Sequence, residues 1–147
     1  MPILSHRADI EAHKPASAGI FTLGAETVDK ALGGGLRRGR MHEAYASGPE
    51  NMASALAFLA MLAMRAAKPG QQIVWLREER AALRSGITYA PGLAELGIDP
   101  GQCLFILASD VTALLRASVD AARSRDVGAV SVETQGRMPQ IDLTASR

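Results

Sequence analysis

Residues 73–76, 103–107 and 129–132 form three short runs of near-continuous apolar character. Their length suits strands, and their lack of polar alternation predicts strands covered on both faces, as in a parallel sheet. Between the second and third runs, residues 111–124 place Val111, Leu114, Leu115, Val119 and Ala122 on roughly one helical face. Arg116, Asp120, Arg123 and Arg125 fall mostly elsewhere, which predicts an amphipathic crossover helix. Upstream, residues 41–46 predict another strand, 47–50 a tight loop, and 51–67 an alanine-rich helix closed by Lys68, Pro69 and Gly70. Residues 26–32 predict a short helix that Gly33, Gly34 and Gly35 stop, because three adjacent glycines leave the backbone too much entropy to stay helical. Strands alternating with helices predict right-handed βαβ units in a doubly wound α/β fold with a mainly parallel sheet.

The ends look different. Residues 1–20 mix Ser5, Pro15, Ser17 and Gly19 among charges without a period and are expected to form a loose arm, leaving residues 21–147 as the core. Asp142 suits the N-cap of a helix starting at Leu143, yet only a turn's length remains before Arg147. We therefore expect a fold truncated at its C-terminus.

Composition narrows the class further. The chain has 147 residues, 48% of them hydrophobic and 21% charged, which suits a folded globular domain. A net charge of +1 supplies no long-range field that demands nucleic acid or membrane, so any DNA contact must be local and weak. Cys103 is the sole cysteine and therefore excludes an intramolecular disulfide. His6, His13 and His42 lack metal-ligand spacing, so neither a metal nor a cofactor is expected. Residues 52–64, the longest apolar stretch, are interrupted by Ser54 and too short to cross a bilayer; they read as a buried helix. No membrane association and a cytoplasmic location are the expectation.

The most informative segment runs from Leu32 to Glu50: a glycine turn, a predicted strand containing Glu43, then Gly48-Pro49-Glu50 ahead of an apolar helix. This order resembles the opening of RecA-superfamily cores. In a working phosphate loop, backbone N–H groups cradle phosphates, a lysine reaches the terminal phosphates and a hydroxyl holds magnesium. Counted from Gly48, the second glycine position is Ala53, the lysine position Ser54 and the hydroxyl position Ala55. Shifting the register by one residue makes Ser54 the hydroxyl, but no lysine lies between Lys30 and Lys68. A helix end alone contributes about 0.3–1 kcal/mol with an exposed charge, far less than a triphosphate clamp requires, so ATP hydrolysis is not expected. Two acids resemble functional positions of RecA-like ATPases: Glu79 after the run at 73–76, where attacking water is oriented, and Glu133 ending the fourth predicted strand, where magnesium is supported. Without the lysine they read as vestiges, the one a solvated helix-start acid, the other a loop-start acid.

Leu32 to Glu43, then Tyr89-Ala90-Pro91-Gly92-Leu93 with Leu96-Gly97-Ile98-Asp99-Pro100, and finally Asp142-Leu143-Thr144-Ala145-Ser146-Arg147 resemble successive motifs of the ImuA family, over roughly residues 23–147. The sequence departs from that pattern by lacking a tryptophan in 111–125, its sole Trp75 lying in the run at 73–76. The resemblance implies a RecA-like three-layer core without a good Walker lysine. It also implies a non-catalytic accessory role in SOS-induced mutagenesis and translesion DNA synthesis. The implied partners are an ImuB-like polymerase homologue and an error-prone polymerase, with RecA as a further candidate. Arg37, Arg38 and Arg40 form the densest basic cluster, and Arg137 follows Glu133 where RecA-like proteins begin a DNA-contacting loop; these are the candidate partner or DNA contacts. An ordinary solvated turn is the simpler reading of such a run. Two other classes compete: an active RecA- or KaiC-like ATPase with an atypical loop, and a SulA-like inhibitor of cell division.

Overall fold

The computed structural model describes residues 19–134, and the chain divides between Met41 and His42 into two compact units. The candidate positions Arg137 and Asp142 to Arg147, and most of the expected arm, lie outside the described residues.

In the first unit, β1 (Ile20–Phe21) pairs antiparallel with β2 (Leu36–Arg37), with Phe21 opposite Leu36. Between them lies helix α1 (Glu26–Ala31). The Asp29 carboxylate fixes its entry, accepting from the N–H groups of Leu23 at 2.7 Å and Gly24 at 3.1 Å. At its exit Gly33 adopts φ +70°, while the Gly33 and Gly34 amides donate to the Lys30 and Asp29 carbonyls. These two bonds close a Schellman cap, so the glycines end the helix as expected, through a left-handed conformation that other residues rarely adopt. Residues 36–37 are strand rather than part of the turn assigned to the basic run.

The second unit holds the expected parallel sheet. Its elements are a 3₁₀ turn (Pro49–Asn51), α2 (Met52–Ala66), β3 (Gln72–Glu78), α3 (Glu79–Ser85), α4 (Ala90–Glu95), a 3₁₀ turn (Pro100–Gln102), β4 (Cys103–Ala108), α5 (Val111–Arg123) and β5 (Val127–Glu133). Strand order is β4-β3-β5, with both pairs parallel. Alternate residues of β3 feed two cores, as the pleat requires. Trp75 packs with Ala60 of α2, Leu93 of α4 and Ile98, supported by Leu56, Leu59, Met64 and Cys103. Val74 and Leu76 pack on the opposite face with Ala108 and Leu114. Helices on both faces of a parallel sheet make three layers. The amphipathic crossover expected at 111–124 is α5, whose Leu114 is fully buried and whose N-cap Asp110 accepts from the Ala113 amide at 2.8 Å.

Three expectations need correction. Residues 41–46 form no strand: Met41 and Tyr45 are exposed, the latter at 84%. Neither alternating face of Met-His-Glu-Ala-Tyr-Ala is consistently apolar, so burial supplies little drive to pair the segment. The helix expected to be buried is half-exposed, with Ala53, Ser54, Ala57 and Phe58 outward and Ala60, Leu62 and Ala63 buried. The run at 103–107 is not covered on both faces: among the described residues β4 pairs only with β3, and Leu104, Phe105 and Leu107 are exposed. The turn expected at Tyr89 does precede a helix, with Pro91 in the first turn of α4.

Two close approaches fix helix against sheet and turn against helix. A Cβ on Gly128 would come within 2.8 Å of Ala67, so glycine lets the end of α2 lie against the start of β5. A Cβ on Gly48 would meet the Glu50 carboxylate within 2.6 Å, so that side chain folds back over its own turn.

Candidate functional site

The loop that resembles a phosphate loop is an extended stretch leading into a 3₁₀ turn, without a strand ahead of it. Gly48 is the N-cap in extended geometry, and Pro49 opens the turn. Asn51 donates through Nδ2 to Ser47 Oγ at 2.8 Å and to Glu50 Oε1 at 3.3 Å. Ala53 and Ser54 sit exposed in the first turn of α2, and Ala55 is half-buried. The local groups beside the helix start are thus a carboxylate, an amide and a hydroxyl. A carboxylate there favours the helix dipole and opposes an incoming phosphate. Just upstream, Tyr45 donates to Glu43 Oε2 at 2.8 Å. That hydrogen bond, followed by the Glu43 charge, raises the phenol above its ordinary value of 10.0.

The two acids have different fates. Glu79 begins α3 and is exposed beside exposed Arg80, as a solvated helix-start acid. Glu133 ends β5 but is buried, its side chain only 4% exposed, and is no solvated loop acid. Across the sheet, its register partner Arg77 brings Nε to 2.8 Å from Oε2 and donates from Nη2 to Oε1 at 3.1 Å. Trp75 Nε1 donates to Oε2 at 3.3 Å. Arg77 also donates from Nη1 to the Gly86 carbonyl at 2.9 Å, tying β3, β5 and the end of α3 together. A magnesium ion at Glu133 would have to displace a guanidinium already held in a two-pronged contact. Sequence reasoning passed over Arg77. Its signal is a charge set in an otherwise buried strand, Ile-Val-Trp-Leu-Arg, a placement that requires a partner.

The basic cluster belongs to the first unit and is not uniform. Arg37 is exposed on β2, and Arg40 is exposed with Nη1 donating to the Gly39 carbonyl at 3.3 Å. Arg38 is half-buried, its guanidinium 5.3 Å from the centre of the Phe21 ring, a cation–π contact that engages it in the fold. Arg37 and Arg40 therefore present the outward charges of this run.

Among the described residues no three His, Cys, Asp or Glu side chains are grouped as metal ligands, and no helix is long and apolar enough to cross a membrane. No protein-family model matches this chain, and no curated protein sequence does.

Proposed function

We propose that this chain is a non-catalytic RecA-like module of the ImuA type, acting in SOS-induced mutagenesis and translesion synthesis through contacts with an ImuB-like polymerase homologue and an error-prone polymerase in the cytoplasm. One observation carries the non-catalytic part. The loop at Gly48 offers Glu50 where a phosphate would bind, has no lysine near it in the sequence, and the acid available for magnesium, Glu133, is engaged by Arg77. A three-layer α/β arrangement supports the RecA-like reading, with α2 following the loop and packing on β5. Arg37 and Arg40 are the contacts assigned to a partner or to DNA.

The test has two arms. Phosphate release from ATP by the full chain, with and without DNA, is expected to stay at background. Partner-independent turnover abolished by Glu79→Gln would replace this reading with that of an ATPase. Co-purification with the ImuB-like partner is expected, and the Arg37→Glu/Arg40→Glu double variant is expected to weaken it while leaving the circular dichroism spectrum unchanged. Absence of co-purification by the unaltered chain would remove the partner assignment.

A further inference from the structure

We infer that the free edge of β4 is a self-association surface, on which β4 of a second copy of this chain pairs antiparallel across a two-fold axis. The inference is independent of the nucleotide loop and of the partner assignment.

Among the described residues, one side of β4 pairs with β3 and no strand pairs with the other. Half of its backbone hydrogen-bonding capacity therefore faces away from the sheet, a template for another strand. Sheet edges are ordinarily protected by a charge, a proline or a bulge. The sequence Cys-Leu-Phe-Ile-Leu-Ala has no charge or proline, and its register with β3 is unbroken from Cys103 to Ala108. The side chains deepen the exposure on both faces: Leu104 is 52% exposed on one, Phe105 and Leu107 are 38% and 57% exposed on the other.

An occupant that satisfies this edge must be a strand, uncharged, and apolar on both of its own faces. Of the strands described, β4 itself has that character. β3 and β5 end in Glu78 and Glu133, both already lie in the sheet, and β1 and β2 are two residues long. A two-fold axis perpendicular to the sheet keeps each face with itself, so residues of like parity oppose one another. Centred on Phe105, this register sets Phe105 against the partner's Phe105, Leu104 against the partner's Ile106, and Cys103 against the partner's Leu107. Every opposed pair is apolar and no like charges meet. The contact is isologous, so it closes at a dimer with one continuous six-stranded sheet. Six residues per chain fall below the roughly 20–30 residues a side of a standard stable interface, so a weak, concentration-dependent association is expected.

Sedimentation velocity of the full chain from roughly 1 to 200 µM reads its dissociation constant. The result expected is a monomer–dimer equilibrium that Leu104→Lys and Leu107→Lys each weaken by at least about tenfold, with unchanged circular dichroism because both positions are half-exposed. A second measurement fixes the register. Opposed α-carbons of antiparallel strands lie about 4.5–5.5 Å apart, within the span of a disulfide. The Cys103→Ser/Phe105→Cys chain should cross-link to dimers under mild oxidation, and the control Cys103→Ser/Asp120→Cys chain, altered on α5, should not. A chain that remains monomeric across the range, whatever covers or leaves open its edge, overturns the inference. So does a dimer that neither lysine variant weakens.

Discussion

β3 and β4 are neighbours in one sheet with similar apolar sequences, and they live in different environments. β3 lies between two strands, with Ile73, Val74, Trp75 and Leu76 all buried. β4 lies at the edge, with Leu104, Phe105 and Leu107 open to solvent. The central strand also holds a buried charge, Arg77, which is tolerated because β5 delivers the equally buried Glu133 opposite it. Position in the sheet, rather than residue type, thus decides which apolar side chains stabilise the monomer and which remain available to bind.

The largest effect should come from splitting the buried pair on the central strand. Arg77→Met leaves the Glu133 carboxylate buried without its cation and should cost about 3–5 kcal/mol in urea unfolding, whereas the Arg77→Met/Glu133→Leu double variant should recover most of that loss. A double variant as unstable as the single one would mean that the polar pair itself, rather than its completeness, holds β3 to β5. Next, Leu76→Ala should cost about 2–5 kcal/mol, because that side chain is fully buried in the core that also contains Leu114. Leu104→Ala on β4 should fall within about 0.5 kcal/mol when measured on the monomer. Equal losses at the two sites would erase the distinction between centre and edge.

A smaller effect is expected where β4 hands over to α5. Asp110→Ala removes the side-chain acceptor of the Ala113 amide and should cost about 1 kcal/mol. The smallest effect concerns Cys103, at the start of β4. Desolvation by its neighbours, and secondarily the Asp99 charge, push its thiol above the ordinary value of 9.0. Alkylation should therefore show a pH midpoint above 9.0, lowered in Asp99→Asn. Because the folded value is the raised one, the linked contribution to stability is fully present below the unfolded value and is lost as pH rises through the folded one. A midpoint at or below the ordinary thiol value would mean that even the inner end of β4 is solvated.

The parts of the molecule readable from the sequence were those governed by local rules. The helix α1 and its glycine stop, the capped amphipathic α5, and the three apolar strands follow from propensity, capping and periodicity acting over a few residues. Residues 41–46 misled because a strand requires a partner, and isolated β-propensity does not supply one. In the candidate site, the missing lysine and the exposed Glu79 were evident, since both depend on residue identity or on a local helix start. The burial of Glu133 was not, because its partner Arg77 lies 56 residues away and meets it only through strand pairing.

By itself the amino-acid sequence determined the alternation of strands and helices, the glycine-capped turn, and the absence of a cation in the Gly48 loop. Tertiary structure alone decided that β3 is central and β4 marginal, that Arg77 and Glu133 neutralise one another, and that Arg38 stacks on Phe21 while Arg37 and Arg40 face outward. The reason is one of range. Backbone preference and chemical identity are properties of a residue and its immediate neighbours, whereas burial and ion pairing depend on which distant segments the folded chain brings alongside.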